Sequence, residues 1–435
     1  MKKIFKKIVV VILKLEARLA LRRWKPKIIA VTGSVGKTST KDAVYAVFSK
    51  FGKTRKSEKS FNSELGVPLT ILGLSNAWRN PIFWILNLIK GFFICLFRPK
   101  DADWLVLEVG ADRPGDIKKI AGWIKPDIAV INKIGDLPVH IEFFKSADDL
   151  AKEKAELAKA IKTGGCLIAY IDDEKVIKIA EGVKSRAVVT FGFDENADVF
   201  ASNYGIMYKD IGGVSVPFGV SFKVKIAGNV LPIMISGALG KSHVYPALAA
   251  LGTAFSVKQN IVLAVDALRE YKTPPGRMKL IDGIKNSLII DDSYNSSPTA
   301  LDEAFNTLKD VAATGRKIVV LGGMFELGKY GRDAHFNAGS KVTEVCDILA
   351  VVGEFGRIIA EGALDAGMDE ENIFQYENSI EAGKDIQNMI KAGDIVLVKG
   401  SQGARMEKVV EEIMAEPEHA PELLVRQESE WKRKK

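Results

Sequence analysis

The run KIIAVT (27–32) is apolar and β-branched, and it feeds straight into a glycine turn. Behind the turn, KDAVYAVFSKF repeats its apolar positions at helical spacing. The pattern recurs along the chain in DWLVLEVG (103–110), DIAVINK (127–133) and CLIAYIDD (166–173). Near-continuous apolar strands separated by helices predict a parallel sheet covered on both faces. Residues 197–235 change to short alternating runs such as GVSVPFGVSFKVKIAG, which predict antiparallel strands added to the same domain, and KSHVYPALAALGTAF then predicts a helix. YKTPPGRMK (271–279) has the composition of a linker. Past it the alternation restarts in SLIIDDS, KIVVLGG, DILAVVG and DIVLVKG, four strands of a second, smaller doubly wound domain.

Two stretches depart from this pattern. On a helix drawn at about 100° per residue, Lys3, Lys7, Lys14, Arg18 and Arg22 share one stripe, with Ile4, Ile8, Ile12, Leu15 and Leu19 beside it. A basic amphipathic helix of this kind reads either as one lying on an anionic membrane surface or as one packed on the protein's own body. No small-residue cleavage site follows, which argues against a signal peptide. The second stretch, PIFWILNLIKGFFICLF (81–97), is flanked by Arg79 and Arg98 and interrupted by Asn87, Lys90 and Gly91. It is short for a membrane span and predicts an interfacial or protein-packed helix. Residues 1–22 and 81–97 together predict a peripheral membrane contact.

At 435 residues the chain exceeds one hydrophobic core. The expected division is a basic amphipathic segment (1–26), a central domain (27–272) and a C-terminal domain (273–435). Cys95, Cys166 and Cys346 form no C-x-x-C pair, which argues against a disulfide framework or zinc site and fits a reducing cytosol. Much of the net charge of +8 lies at the two ends, in MKKIFKK…LRRWKPK and WKRKK. The middle has no basic patch interleaved with aromatics, so no nucleic-acid partner is expected.

The candidate chemistry starts at the first glycine turn. VTGSVGKTST has Val31 where the usual G-x-x-x-x-G-K-[ST] loop has its first glycine, and reads G-x-x-G-K-T from Gly33. Strand, turn, Lys37, Thr38 and helix still come in the order a phosphate site needs. Backbone N–H groups and a helix N-terminus favour the anion, Lys37 adds a charge, and the Thr38 hydroxyl suits Mg²⁺. Glu108 ends a buried strand, where it either holds a metal or caps the next helix. His140 follows another strand, and Lys154 sits in a charged helix where a lysine ordinarily meets solvent. In the second half, Arg277 follows a tight turn and Asp291 and Asp292 end a strand; arginine suits phosphate and aspartate a ribose hydroxyl. Lys399, Gly400 and Ser401 form either another anion site or a plain strand–turn–helix junction.

In order along the chain, VTGSVGKTSTKD, FNSELGVPLTIL, LEVGADRPGDI, INKIGDLPVHIEFFKSADDLAKEKAEL, PPGRMK, DDSYNSSPTAL, VLGGMFELG and GDIVLVKGS resemble the Mur ligase family. The resemblance is closest to its MurF type, which adds D-Ala-D-Ala to UDP-MurNAc-tripeptide. It implies an α/β fold with a P-loop, mostly parallel-sheet ATPase domain and a Rossmann-like C-terminal domain. It also implies an ATP-dependent amide ligase that passes through an acyl phosphate. On that template Gly33, Ser34, Val35, Gly36, Lys37, Thr38 and Ser39 hold the nucleotide phosphates. Thr38 and Glu108 hold one Mg²⁺, and His140 with a carbamylated Lys154 holds a second. Asn295, Arg277 and Asp292 reach the nucleotide from the C-terminal domain.

The implied partners are a UDP-MurNAc-peptide-like substrate and a dipeptide; the expected setting is the cytoplasm, and the stretches 1–22 and 81–97 place it at the inner face of the membrane. Three departures accompany the match. Only 32 residues precede Gly33, where the family carries a leading UDP-sugar domain, so this chain is expected to do without it. Ser242-His243 stands where the family has His-Asn, and DDSYNSSP replaces YNANP. The alternatives are another Mur-type amide ligase, polyglutamate-adding or an atypical cell-wall enzyme, and a membrane-surface ATP-binding module without ligation.

Overall fold

The computed structural model describes residues 3–58, 61–137, 140–183, 186–211 and 214–433. The Lys3 side chain, the first two residues of the basic segment and the last two lysines lie outside the described residues.

The larger sheet has nine strands: β1 (Lys27–Thr32), β2 (Thr54–Lys56), β3 (Trp104–Glu108), β4 (Ile128–Ile131), β5 (Cys166–Tyr170), β6 (Ala187–Gly192), β7 (Val199–Ile211), β8 (Val214–Ile226) and β9 (Asn229–Ser236). Their order is β2-β3-β1-β4-β5-β6-β7-β8-β9. Pairing is parallel from β2 through to the β6–β7 contact, then antiparallel from β7 to β9. The alternating segment therefore extends the same sheet, as its pattern predicts. β1 lies between β3 and β4, with Val31 level with Glu108 on one side and Val130 on the other. The chain leaves β1 toward β2 and β3 on one side and continues from β4 on the other. The carboxyl end of β1 is thus a topological switch point, where α/β sheets open a crevice.

Six helices of this half matter for function: α1 (Lys3–Trp24), α2 (Lys37–Ser49), α3 (Gly66–Leu72), α4 (Pro81–Phe97), α5 (Asp116–Ile124) and α6 (Ala147–Lys159). Serine and asparagine set two of their starts: Ser146 Oγ accepts the Asp149 N–H at α6, and Asn80 Oδ1 accepts the Ile82 and Phe83 N–H groups at α4, with Pro81 following.

The second sheet runs β10-β11-β15-β12-β13-β14. Its strands are β10 (Lys279–Gly283), β11 (Ser287–Asp292), β12 (Lys317–Gly322), β13 (Ile348–Val352), β14 (Ile373–Tyr376) and β15 (Ile395–Lys399). Only β10 is antiparallel. Four strands were expected from their continuous apolar runs, and those four are buried throughout or nearly so. The two extra strands are the sheet's edges, where one face meets solvent and the pattern weakens. β10 also starts at Lys279, the last residue of the expected linker.

Candidate active site

The phosphate loop closes tightly over the end of β4. Gly33 has φ +147°, and a Cβ there would lie 2.7 Å from Asn132 Cβ, so only glycine fits. Val31 is fully buried inside β1. The missing first glycine therefore falls within the sheet, and the loop proper starts two residues later. Gly36, at φ +77°, leads into α2. The Ser34 and Val35 N–H groups donate to the Lys133 carbonyl at 2.8 and 3.2 Å. The Lys133 ammonium meets Glu303, from the C-terminal half, at 2.7 Å.

Around this loop the structure gathers Lys37, Glu108, His140 and Lys154. Lys37 Nζ donates to the Ser34 carbonyl at 3.2 Å. Burial lowers its pKa and Arg277 pushes the same way, while Glu108 and Asp112 oppose them. Lys154 is the surprise of α6: it is buried, and its Nζ donates to the Gly33 carbonyl at 2.9 Å. Burial, and after it the Lys37 charge, hold its pKa well below the usual lysine range. Its neighbour Glu153 gives little relief, because that carboxylate caps α5 by accepting the Gly115 and Ile117 N–H groups at 2.8 and 2.7 Å. Burial of this kind favours the neutral amine over the ammonium.

Glu108 is almost wholly buried. Its Oε2 accepts from the Thr38 hydroxyl at 3.0 Å and its Oε1 from Asn62 Nδ2 at 3.1 Å. Adjacent oxygens around an octahedral Mg²⁺ stand about 2.9 Å apart, given Mg–O bonds of about 2.1 Å. Thr38 and Glu108 thus already have the spacing of two neighbouring ligands. Among the described residues no three His, Cys, Asp or Glu side chains converge on a cation. That suits an ion held by one carboxylate, one hydroxyl, water and phosphate. His140, in a left-handed conformation at φ +70°, has Nδ1 2.5 Å from Glu326 and Nε2 3.6 Å from Asp112. Burial lowers its pKa against the pull of both carboxylates.

The C-terminal contributions are less uniform. The Arg277 guanidinium lies 4.1 Å from the centre of the Tyr294 ring and is near enough to act on Lys37. Asn295 lines a cleft of about 440 Å³ with His140, Glu326 and Ser401. Its Oδ1 accepts the Ser296 N–H at 3.0 Å. Asp292 differs from expectation: its two oxygens are taken by Lys399 Nζ, at 2.6 Å, and by the Met278 N–H, at 3.2 Å. Asp292 and Lys399 end adjacent strands, so the lysine neutralises the aspartate instead of offering a free cation. The neighbouring Asp291, buried and accepting from Ser293 and Gly276, is pushed up to about 6. His243 is also structural: its Nε2 lies 2.8 Å from the Arg277 carbonyl, and burial lowers its pKa to about 4.

A larger cleft of about 720 Å³ opens at Thr38 and runs between Phe61, Trp78, Arg277, Tyr294 and Trp431. It joins the nucleotide loop to both halves of the chain. Sequence reasoning did not single out Asn62, Asp112 or Glu326. Asn62 and Asp112 lie inside matched stretches, FNSELG and GADRPGD, but their contact with Glu108 and His140 depends on the fold. Glu326 reaches His140 from the other sheet.

The family of the Mur ligase middle domain matches residues 31–254, and that of the "Mur ligase, glutamate ligase domain" matches residues 276–402. The UDP-N-acetylmuramoyl-tripeptide--D-alanyl-D-alanine ligase of Bacillus subtilis is 28% identical over 404 residues, covering 92% of this chain and 79% of the relative. The Escherichia coli enzyme of the same name is 26% identical over 388 residues, covering 88% and 76%. The crystal structure of MurF ligase from Thermotoga maritima in complex with ADP superposes with a TM-score of 0.74 at 26% identity, covering 93% of this chain and 83% of that one. With its middle-domain match alone spanning more than half of its length, this chain belongs to the Mur ligase family.

Proposed function

We propose that this chain is an ATP-dependent amide ligase of MurF type, joining D-Ala-D-Ala to the peptide carboxylate of a UDP-MurNAc-tripeptide-like precursor in peptidoglycan synthesis. The observation that carries this reading is the Thr38–Glu108 pair, 3.0 Å apart beside Lys37, with Thr38 lining the 720 Å³ cleft. We keep residues 27–272 and 273–435 as its two catalytic domains.

The chemistry follows from the charges. ATP phosphorylates the acceptor carboxylate, an incoming amine attacks the acyl phosphate, and phosphate leaves. Lys37 and Arg277 neutralise crowded phosphate oxygens, and an arriving anion restores the Lys37 pKa that burial lowers. Mg²⁺ held by Thr38 and Glu108 would supply further neutralisation. Lys154, whose neutral amine burial favours, can take up CO₂ with release of one proton. The resulting carbamate is an anion that, with His140, would hold the second of two Mg²⁺ ions. Asn295, Arg277 and Asp292 face the nucleotide from the C-terminal half, with Asp292 paired to Lys399. The enzyme works in the cytoplasm at the inner face of the membrane, with residues 1–22 and 81–97 touching the bilayer.

The test is phosphate release from ATP with UDP-MurNAc-tripeptide, with and without D-Ala-D-Ala. Release that depends on the dipeptide is expected. Turnover with a different amine only would replace the MurF assignment with another ligase of the family, and no turnover with any amine would favour a binding module.

A further inference from the structure

α1 and α4 pack side by side. Glu16 of α1 meets Gly91 of α4, where any side chain would strike the carboxylate. Seven residues further along each helix, Arg23 donates to the Arg98 carbonyl at 2.7 Å, and Trp24 Nε1 donates to the same oxygen at 3.0 Å. The helices are therefore parallel. α1 buries Val9, Leu13, Ala17, Ala20 and Trp24, and α4 buries Trp84, Gly91 and Cys95.

The remaining surface is apolar and bare. Ile4, Ile8, Val11, Leu15 and Leu19 are about half exposed or more on α1. On α4 the same holds for Ile82, Phe83, Ile89, Phe92, Phe93 and Phe97. Of the 26 large hydrophobic side chains left exposed among the described residues, 14 lie on these two helices, so the exposure is a patch and not scatter. Its charge has one sign. Lys6, Lys7, Arg18 and Arg22 are exposed on α1 and Lys90 on α4. Glu16 is the sole acid on either helix, and it is buried between them.

This composition selects the occupant. Lysine is depleted from protein–protein interfaces, whereas lysine and arginine beside phenylalanine and leucine mark helices that lie in a headgroup layer. No helix among the described residues is long and apolar enough to cross a membrane. The 17 residues of α4 span only about 25 Å. α4 also holds the loop that forms one wall of the 720 Å³ cleft: Trp84 Nε1 donates to the Trp78 carbonyl at 3.0 Å and Asn87 Nδ2 to the Ser75 carbonyl at 2.9 Å, and Asn76 and Trp78 line the cleft.

We propose that α1 and α4 form one docking face for an anionic lipid bilayer, lying in its headgroup plane and holding the mouth of the cleft at the membrane surface. This deepens the placement of the enzyme at the inner face of the membrane and rests on it. The test is sedimentation of the full chain with vesicles of phosphatidylcholine alone and of an equal mixture with phosphatidylglycerol. Binding to the mixture is expected to be at least about tenfold tighter, and weaker at high salt. Phe92→Glu/Phe93→Glu and Lys6→Glu/Lys7→Glu are each expected to weaken it about tenfold or more. Dipeptide-dependent phosphate release in lipid-free solution stays unchanged in both, which shows that they fold. Equal sedimentation of wild type and variants overturns the proposal, as does failure to bind either vesicle. A lipid-free dimer dispersed by the same variants overturns it in favour of a second copy. Vesicle binding without any phosphate release would sink the ligase reading and leave the docking face standing.

Discussion

Two regions of the molecule invert the ordinary partition of side chains in opposite senses. At the carboxyl end of β1, Lys154 and Glu108 are buried and Lys37 is half-buried. On α1 and α4, phenylalanines, leucines and isoleucines stand in water. Each arrangement costs free energy in the isolated chain, because desolvated charge and hydrated apolar surface are both unfavourable. The difference lies in what relieves each cost. An anion and a cation, entering together, repair the first. Only a low-dielectric surface repairs the second. A region that breaks the partition rule thus describes its missing partner by the kind of cost it carries.

The comparison breaks first at Lys37. Lys37→Ala should lower phosphate release by about 10²–10³-fold, the usual loss when one preorganised charge donor is removed. A loss below tenfold would mean that the Lys37 charge is not aimed at phosphate. Lys154→Ala comes next, with an expected loss of about 10–100-fold, partly restored by a short carboxylate and accompanied by loss of any bicarbonate requirement. Restoration by an amine instead would show that Lys154 acts as a cation. Glu108→Gln keeps the side chain's shape but removes its negative charge and one of the two oxygens that accept from Thr38 and Asn62. Titration with Mg²⁺ should show the half-maximal concentration rising about tenfold or more.

The smallest effect concerns the other region. Burial raises Glu16 to about 7, against an ordinary glutamate value of about 4.3. The folded chain then holds a proton between these values that the unfolded chain has lost, so stability falls as pH rises through the window. Glu16→Gln should raise the melting temperature by a few degrees, about 2–4 °C per kcal/mol recovered, at pH 8 and hardly at pH 5. An equal shift at both pH values would show that packing, not charge, governs the α1–α4 contact.

Much of the fold was legible in the chain because a strand buried on both faces leaves a long apolar run. β1, β3, β4, β5, β11, β12, β13 and β15 all announced themselves in this way. β14, with sequence IFQY, is half-exposed and did not. The candidate site was legible wherever a motif lies within one stretch, as with Gly33 to Thr38, and, through the ordered resemblance, at Glu108, His140 and Lys154. Composition alone assigned Lys154 to solvent, since nothing in LAKEKAEL shows that one lysine of the two points at the Gly33 carbonyl. The pairing of His140 with Glu326 spans two sheets and has no local signature. For α1, helical periodicity found the apolar stripe Ile4, Ile8, Ile12, Leu15 and Leu19 but could not tell that Val9, Leu13 and Ala17 would be the face that packs.

Lys133 belongs to both halves of the molecule at once. Its carbonyl shapes the loop through Ser34 and Val35, and its ammonium holds Glu303 across the domain boundary. The geometry of the phosphate loop and the docking of the C-terminal half are therefore linked variables. Whatever free energy the nucleotide lends to closure through this residue, closure returns to the affinity for the nucleotide in equal measure.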